Sequence, residues 1–140
     1  MTYLPRDIAE VIPVVIRAAV RIERIEHEGS PLERWTVRTL QCTITLCHDG
    51  MGWQTFVLPH SEPAVEVAAP FWYAVLNNVD PDTLYDMDLQ ADDFARFVNA
   101  RFSEISEMCG VVLWSDTHKK LRRFQSQWGK MLKKRWSKPR

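Results

Sequence analysis

The sequence predicts an α+β fold in a single domain over residues 1–140, in which three to four helices pack a small antiparallel β-sheet of two to three strands. Two patterns predict it: an alternating apolar pattern on both sides of Asp49-Gly50, and helical apolar stripes in the second half of the chain. With 46% hydrophobic residues, a chain of this length can bury a core without disulfides or a structural metal. This composition excludes collagen, a disulfide mini-protein and a polytopic membrane protein.

The predicted sheet is centred on a hairpin over about residues 34–58. Residues 34–47 predict one strand, in which Leu40, Cys42, Ile44 and Leu46 alternate with Thr39, Gln41, Thr43 and Thr45. Asp49-Gly50 is a strong hairpin signal, and residues 53–58 form the return strand up to Pro59. Residues 63–69 could add a third strand through Val65 and Val67, because two strands alone are marginally stable.

Apolar spacing of three and four predicts a helix over residues 7–28, although Pro13 and many β-branched residues oppose it. A short helix is expected over 71–78, with Pro70 in its first turn, followed by a turn at residues 80–82. The next helix is expected over 89–109, capped by Asp88 and ended by Gly110. Residues 111–114 are expected to form a buried connector.

The last helix is expected over about residues 116–136, capped by Ser115 or Asp116. One apolar stripe runs along it, formed by Leu121, Phe124, Trp128, Met131, Leu132 and Trp136. Lysines and arginines occupy much of the remaining surface. The pattern therefore predicts a long basic amphipathic C-terminal helix.

The net charge of zero hides a strong asymmetry. Residues 1–116 carry 8 basic and 18 acidic side chains, whereas residues 117–140 carry 10 basic side chains and no acidic one. The domain therefore divides into an acidic α+β body, 1–116, and a basic C-terminal helix, 117–140. Such an asymmetry is typical of a contact with nucleic acid, with a membrane or with an acidic surface.

We expect a non-enzymatic binding protein whose basic helix contacts nucleic-acid phosphates without strong sequence preference, within a larger assembly. Lysines and arginines release counterions from phosphates, and arginine adds forked hydrogen bonds. No helix-turn-helix, zinc-finger or RNP-type pattern supports sequence-specific recognition, and DNA is not distinguished from RNA. The expected contact residues are Lys119, Lys120, Arg122, Arg123, Lys130, Lys133, Lys134 and Arg135. A solvated helix face without a ligand stays open as an explanation, as does an acidic protein surface.

The alternative function is a protein-binding inhibitor or adaptor, for example a counter-defence factor of a mobile element. It would act through its acidic surface and through exposed aromatic residues, since tryptophan is enriched at binding hot spots. A cluster of aspartates lies between residues 80 and 93, and it does not fit the ligand spacing of an EF-hand. The expected protein-binding residues are Trp35, Asp80, Asp82, Asp86 and Trp136.

No catalytic residue, metal site or cofactor is expected, because the chain has no GxSxG, P-loop, GxGxxG or CxxC pattern. A third hypothesis, a small hydrolase or nuclease, would use His48, Asp49 and His60 near the hairpin. Three cysteines suit a reducing, cytoplasmic compartment. No signal peptide and no membrane contact are expected, and the sequence does not indicate an oligomeric state.

Overall fold

A computed structural model describes residues 22–28, 33–48 and 53–137 and shows an α+β fold. Four seven-residue strands and one two-residue strand form an antiparallel meander in the order β1-β2-β3-β4-β5. Their bounds are Ile22–Glu28 (β1), Glu33–Thr39 (β2), Cys42–His48 (β3), Trp53–Pro59 (β4) and Val67–Ala68 (β5). The antiparallel sheet is confirmed, and it is larger than the sequence predicted.

The predicted single strand over 34–47 is wrong, because the chain reverses at Leu40 and Gln41. Strands β2 and β3 pair in register on either side of this two-residue connection, with Val37 opposite Ile44. The apolar alternation continues through the reversal, which is why the two strands looked like one in the sequence. Leu40, predicted on the apolar face, lies at the turn and is 52% exposed.

The reversal also overturns the predicted exposure of Trp35. In a continuous strand, Trp35 would share the face of Thr43 and Thr45. A two-residue connection instead places Trp35 opposite Leu46, and directly opposed residues of an antiparallel pair lie on the same face. Trp35 is therefore fully buried, at 0% exposure, in the apolar core.

The predicted helix over 7–28 is wrong where the structure describes it, because residues 22–28 form β1. In the register with β2, Ile25 pairs with Val37 and His27 pairs with Trp35. The β-branched isoleucines suit this strand, and backbone pairing overrides the helical spacing. Residues 7–21 lie outside the described residues, as does the Asp49-Gly50 turn, although β3 and β4 on its two sides pair as in a hairpin.

Five helices follow the sheet within the described part of the chain, where three to four were predicted for the whole domain. They are Ala69–Asn77 (α1), Pro81–Asp86 (α2), Ala91–Ala100 (α3), Phe102–Met108 (α4) and Trp114–Trp136 (α5). Pro70 lies in the first turn of α1 as predicted. The predicted turn at residues 80–82 begins α2 instead.

The predicted helix over 89–109 is divided into α3 and α4 at Arg101, whose backbone leaves the helical range. The N-terminus of α3 is capped by Gln90, which forms a capping box with Asp93. Asp88, the predicted cap, lies outside the helix. The two helices nevertheless bury the apolar stripe that predicted them, through Val98, Phe102 and Ile105.

The segment before α5 differs most from the sequence prediction. Val111 and Val112, expected in a buried connector, are 86% and 88% exposed. Helix α5 begins at Trp114 without a side-chain cap, so neither Ser115 nor Asp116 caps it. The expected third strand also shortens to β5, which leaves Val65 exposed.

The core lies between one sheet face and the helices. Helices α1 and α3 pack on β4, α5 packs on α1, and α2 packs on α5. The main cluster joins Ile44 of the sheet to Trp72, Ile105 and Leu121 of the helices. Within residues 22–28, 33–48 and 53–137, no helix is both long enough and apolar enough to cross a bilayer.

Truncation of Leu121 tests whether α5 belongs to this core. Leu121 is fully buried, so Leu121→Ala is expected to lower the free energy of unfolding by about 2–5 kcal/mol. Val112→Ala, at an exposed site, is the control and is expected to change it by about 0.5 kcal/mol or less. Urea unfolding followed by circular dichroism measures both, and equal small effects would show that α5 does not pack on the domain.

Candidate nucleic-acid interface

Helix α5 is the longest helix of the described chain, and its 23 residues span about 34 Å. The Trp114 amide donates to the Gly110 carbonyl, and the Thr117 hydroxyl donates to the Leu113 carbonyl at 3.0 Å. Lysines and arginines in the last turn favour the helix because they face its negative dipole end. These hydrogen bonds and the charges of the last turn therefore stabilise α5 at both of its ends.

One side of α5 packs against the interior of the domain. Its buried residues recur at intervals of three, four and seven, as Trp114, Thr117, Leu121, Phe124 and Met131, with the half-buried Trp128 between the last two. We call this set the apolar seam. Phe71 of α1 contacts Phe124 and Trp128 edge-on, with ring centroids 5.8 and 5.9 Å apart. The seam fixes the rotation of α5 about its axis.

At the N-terminal end of α5, the seam is anchored by two tryptophans. The rings of Trp72 and Trp114 stack at 6.0 Å, and both side chains are buried. The indole Nε1 of Trp114 donates to the Pro63 carbonyl at 3.0 Å. The buried indole N–H of Trp114 thus has a partner, whereas that of Trp72 has none among the described residues.

The side of α5 opposite the seam presents five cations. At about 100° per residue, these side chains lie within about 50° of the direction opposite the seam, and all are exposed. They are Lys119, Arg122, Arg123, Lys130 and Lys133. We call this set the cationic face; from first to last it extends about 21 Å along the helix.

The cationic face carries no compensating acid. Asp116 is the one acidic residue of α5, in its first turn. Across the described ranges, none of the five cations forms a salt bridge with a carboxylate. The positive charges of the cationic face are therefore available to an anionic ligand.

The two other predicted lysines lie beside this face. Lys120 lies at the edge of a shallow groove of about 200 Å³ between α1 and α5, together with Arg123. Lys134 borders a larger pocket near the end of α5. Both lysines are exposed, so they can supplement contacts made by the cationic face.

Arg135 has a different environment from the other predicted contact residues. Its guanidinium donates to Asp82 Oδ1 at 2.9 Å through Nη2 and to Asp86 Oδ1 at 3.0 Å through Nη1. It also lies 4.5 Å above the ring of Tyr85. Hydrogen bonds to Asp86 and Asp82 raise the pKa of Arg135 above its ordinary value. Arg135 therefore joins α5 to α2, and we call this arrangement the α2–α5 clamp.

The clamp brings together residues that the sequence assigned to two different sites. Asp82 and Asp86, predicted to bind protein, are the partners of Arg135, predicted to bind nucleic acid. Their spacing of four residues on α2 puts both carboxylates on one helix face, which is the signal that sequence reasoning did not use. Both carboxylates remain more than half exposed, at 64% and 65%.

The remaining predicted protein-binding residues, Asp80, Trp35 and Trp136, differ in burial and in structural role. Asp80 caps α2, where its Oδ1 accepts from the Thr83 amide at 3.0 Å. Hydrogen bonds from Thr83 lower the pKa of the Asp80 carboxyl. Trp35 is buried, as described above, whereas Trp136 is 73% exposed at the end of α5, as the sequence predicted.

Of the three residues considered for catalysis, His60 is the one whose side chain the structure describes, and it has structural partners. His60 Nδ1 donates to the Leu40 carbonyl at 3.1 Å, which leaves Nε2 to accept from the Thr43 hydroxyl at 2.8 Å. The side chain of His48 and the whole of Asp49 lie outside the described residues. Among the residues that the structure describes, no group of His, Cys, Asp and Glu could hold a metal ion.

The buried cysteines behave as core residues. A hydrogen bond to Cys42, together with burial, raises the pKa of the Cys109 thiol. Thr39 lies beside Cys42, with its Oγ1 3.6 Å from Sγ. A thiol with a raised pKa is a poor nucleophile, so Cys109 acts as a small core side chain, fully buried.

His118 offers a test of the local electrostatics of α5. Burial and the positive charge of Arg122 lower the pKa of His118 below its ordinary value of 6.5. We expect Arg122→Gln to raise this pKa toward that value without reaching it, because burial against Trp114 persists. An NMR pH titration of the imidazole measures it, and a pKa unchanged by the substitution would place Arg122 away from His118.

Comparison of this chain with protein-family models, with curated protein sequences and with solved structures gives no significant match.

Proposed function

We propose that this chain is a non-enzymatic binding protein whose helix α5 contacts nucleic-acid phosphates without strong sequence preference, as part of a larger assembly. The cationic face carries the proposal. Five lysines and arginines point away from a packed seam, and in the described part of the chain no carboxylate pairs with them. Each such side chain placed near a phosphate releases condensed counterions, which favours binding.

The dimensions of the cationic face suit a phosphate backbone. Phosphates along one strand of a duplex are spaced by about 3.4 Å along the axis, so 21 Å spans about six of them. Arg122 and Arg123 can donate two hydrogen bonds to one phosphate, which lysine cannot do in a fixed geometry. The face is made of cations around Ser126, and it lacks the asparagine or glutamine side chain that reads adenine.

The acidic body supports an oriented contact. Residues 1–116 have a net charge of −10 and residues 117–140 have a net charge of +10. Such a charge distribution attracts a polyanion to α5 and repels it from the rest of the domain. The chain would therefore approach nucleic acid with α5 first.

Salt-dependent binding tests the proposal. Fluorescence anisotropy of a labelled 20-mer duplex should give a slope of log K against log salt of about −4.5 for five contacts. Arg122→Gln/Arg123→Gln should reduce the slope by about 1.8, because two phosphate contacts are lost.

The matched control is Arg96→Gln/Arg101→Gln, which removes two arginines from the body, where each pairs with a carboxylate. This variant should keep the slope of the unaltered chain, and circular dichroism confirms that all proteins are folded. Equal loss in both variants would show a general charge effect. No binding by the folded chain at about 50 mM salt would refute the proposal.

A second candidate function, a protein-binding adaptor or inhibitor, is favoured by one observation. Five exposed apolar side chains lie on three segments that hydrogen bonds join, namely the β2–β3 turn, residues 60–66 and the loop before α5: Leu40, Val65, Val111, Val112 and Leu113. His60 bonds the Leu40 carbonyl, and Ser61 Oγ donates to the Cys109 carbonyl at 2.9 Å. Clustered exposed apolar groups mark protein contacts. Exposed acidic residues lie near these segments in the sequence, and they would favour a partner that carries basic residues around an apolar centre: Glu62, Glu66, Glu107 and Asp116.

This candidate predicts that Val111→Ser/Val112→Ser abolishes a protein complex that Arg122→Gln/Arg123→Gln retains. Affinity capture with both variants and the unaltered chain, followed by mass spectrometry, makes the comparison. A complex lost only with the arginine variant would instead assign the protein contact to the cationic face.

A further inference from the structure

We propose that Trp136 and the adjoining pocket bind an unpaired nucleobase, so that this chain prefers single-stranded nucleic acid to a duplex. The inference rests on the proposed function, since α5 must first hold the phosphates. The pocket has a volume of about 480 Å³ and lies at the C-terminal end of α5. Its lining comprises Asp82, Tyr85, Met131, Lys134, Arg135 and Trp136.

Trp136 differs from every other tryptophan of the chain. Trp35, Trp53, Trp72 and Trp114 are buried, and Trp128 is half-buried in the apolar seam. Trp136 is 73% exposed, and its ring stacks on no aromatic residue in the described part of the chain. An exposed indole face is a stacking surface that accepts any nucleobase, because every base has a π-face.

The pocket wall formed by Tyr85 and Arg135 is held in place by contacts within the domain. Arg135 lies 4.5 Å above the Tyr85 ring, and Tyr85 and Trp128 have ring centroids 6.1 Å apart. The α2–α5 clamp holds Arg135 in this position through Asp82 and Asp86. A ligand that enters the pocket therefore does not have to order this wall, which lowers the entropic cost of binding.

The distribution of charge favours the phosphates on the cationic face and the base in the pocket beside Trp136. Asp82 lines the pocket together with Lys134 and Arg135, and Arg135 is paired with Asp82 and Asp86. This pairing makes the pocket less favourable to a phosphate than the cationic face, whereas an uncharged base is tolerated. Lys133, the last residue of the cationic face, precedes Trp136 by three positions, which puts the two side chains about one helical turn apart. A backbone that follows the cationic face is thus led to Trp136.

A paired base cannot reach Trp136 from this backbone position. In a duplex the bases stack inside the helix, and extruding one requires breaking its pairing and stacking. In a single strand the base is free to turn outward onto the indole. The same cationic face then serves both forms of nucleic acid, and Trp136 adds affinity for the single strand alone.

The experiment compares a labelled single-stranded 20-mer with a duplex of the same sequence by fluorescence anisotropy at fixed salt. The full chain should bind the single strand more tightly, and Trp136→Ala should weaken single-strand binding about tenfold while leaving duplex binding unchanged. Trp136→Phe should retain most of the affinity, because a smaller aromatic face remains. Ser103→Ala, at an exposed site of α4 away from α5, should change neither affinity.

The remaining outcomes separate the two claims. Equal affinity for both nucleic acids, with no effect of Trp136→Ala, would overturn the stacking site and leave the phosphate contact intact. Equal weakening of both by Trp136→Ala would also overturn the single-strand preference. Binding to neither form would refute the proposed function and this inference together. Trp136 lies at an exposed helix end, so circular dichroism should show that both variants fold like the unaltered chain.

Discussion

The apolar seam of α5 is the constraint on which the proposed binding surface depends. Phe124 and Trp128 pack on Phe71, and Trp114 stacks on Trp72, so α5 cannot rotate about its axis without leaving the core. Burial of one side dictates what the other side presents. A helix with the same composition but no seam would distribute its cations around the whole circumference. The cationic face, which extends about 21 Å along the helix, would then not exist.

The charge asymmetry of the chain is largely preserved in the folded domain. Within residues 22–28, 33–48 and 53–137, Arg135 is the cation of α5 that pairs with acids of the body. This pairing positions α2 against α5 and shapes the pocket beside Trp136. Arg135 thus has a structural role, whereas the other cations of α5 stay exposed.

Sequence patterns predicted the features that depend on local periodicity, and they failed where tertiary pairing decides. The seam of α5 from Leu121 to Met131 followed from a period of 3.6 residues. The same period placed Trp136 in the apolar stripe, and its exposure followed instead from its position at the helix end. The hairpin at Leu40 and Gln41 has no glycine or proline signal, so its reversal and the burial of Trp35 could not be foreseen. The exposure of Val111 and Val112 could not be predicted from their apolar side chains, which favour burial. The α2–α5 clamp could not be predicted from local spacing, because it joins residues about fifty positions apart.

The central claim is that nucleic acid contacts the cationic face of α5, and lysine footprinting tests it most directly. The folded chain, with and without a saturating single-stranded 20-mer, is labelled with an amine-reactive reagent and analysed by mass spectrometry. The account predicts strong protection of Lys119, Lys130 and Lys133 and weaker protection of Lys120, which lies to the side of the face. Unchanged labelling of Lys119, Lys130 and Lys133 in a saturated complex would contradict it.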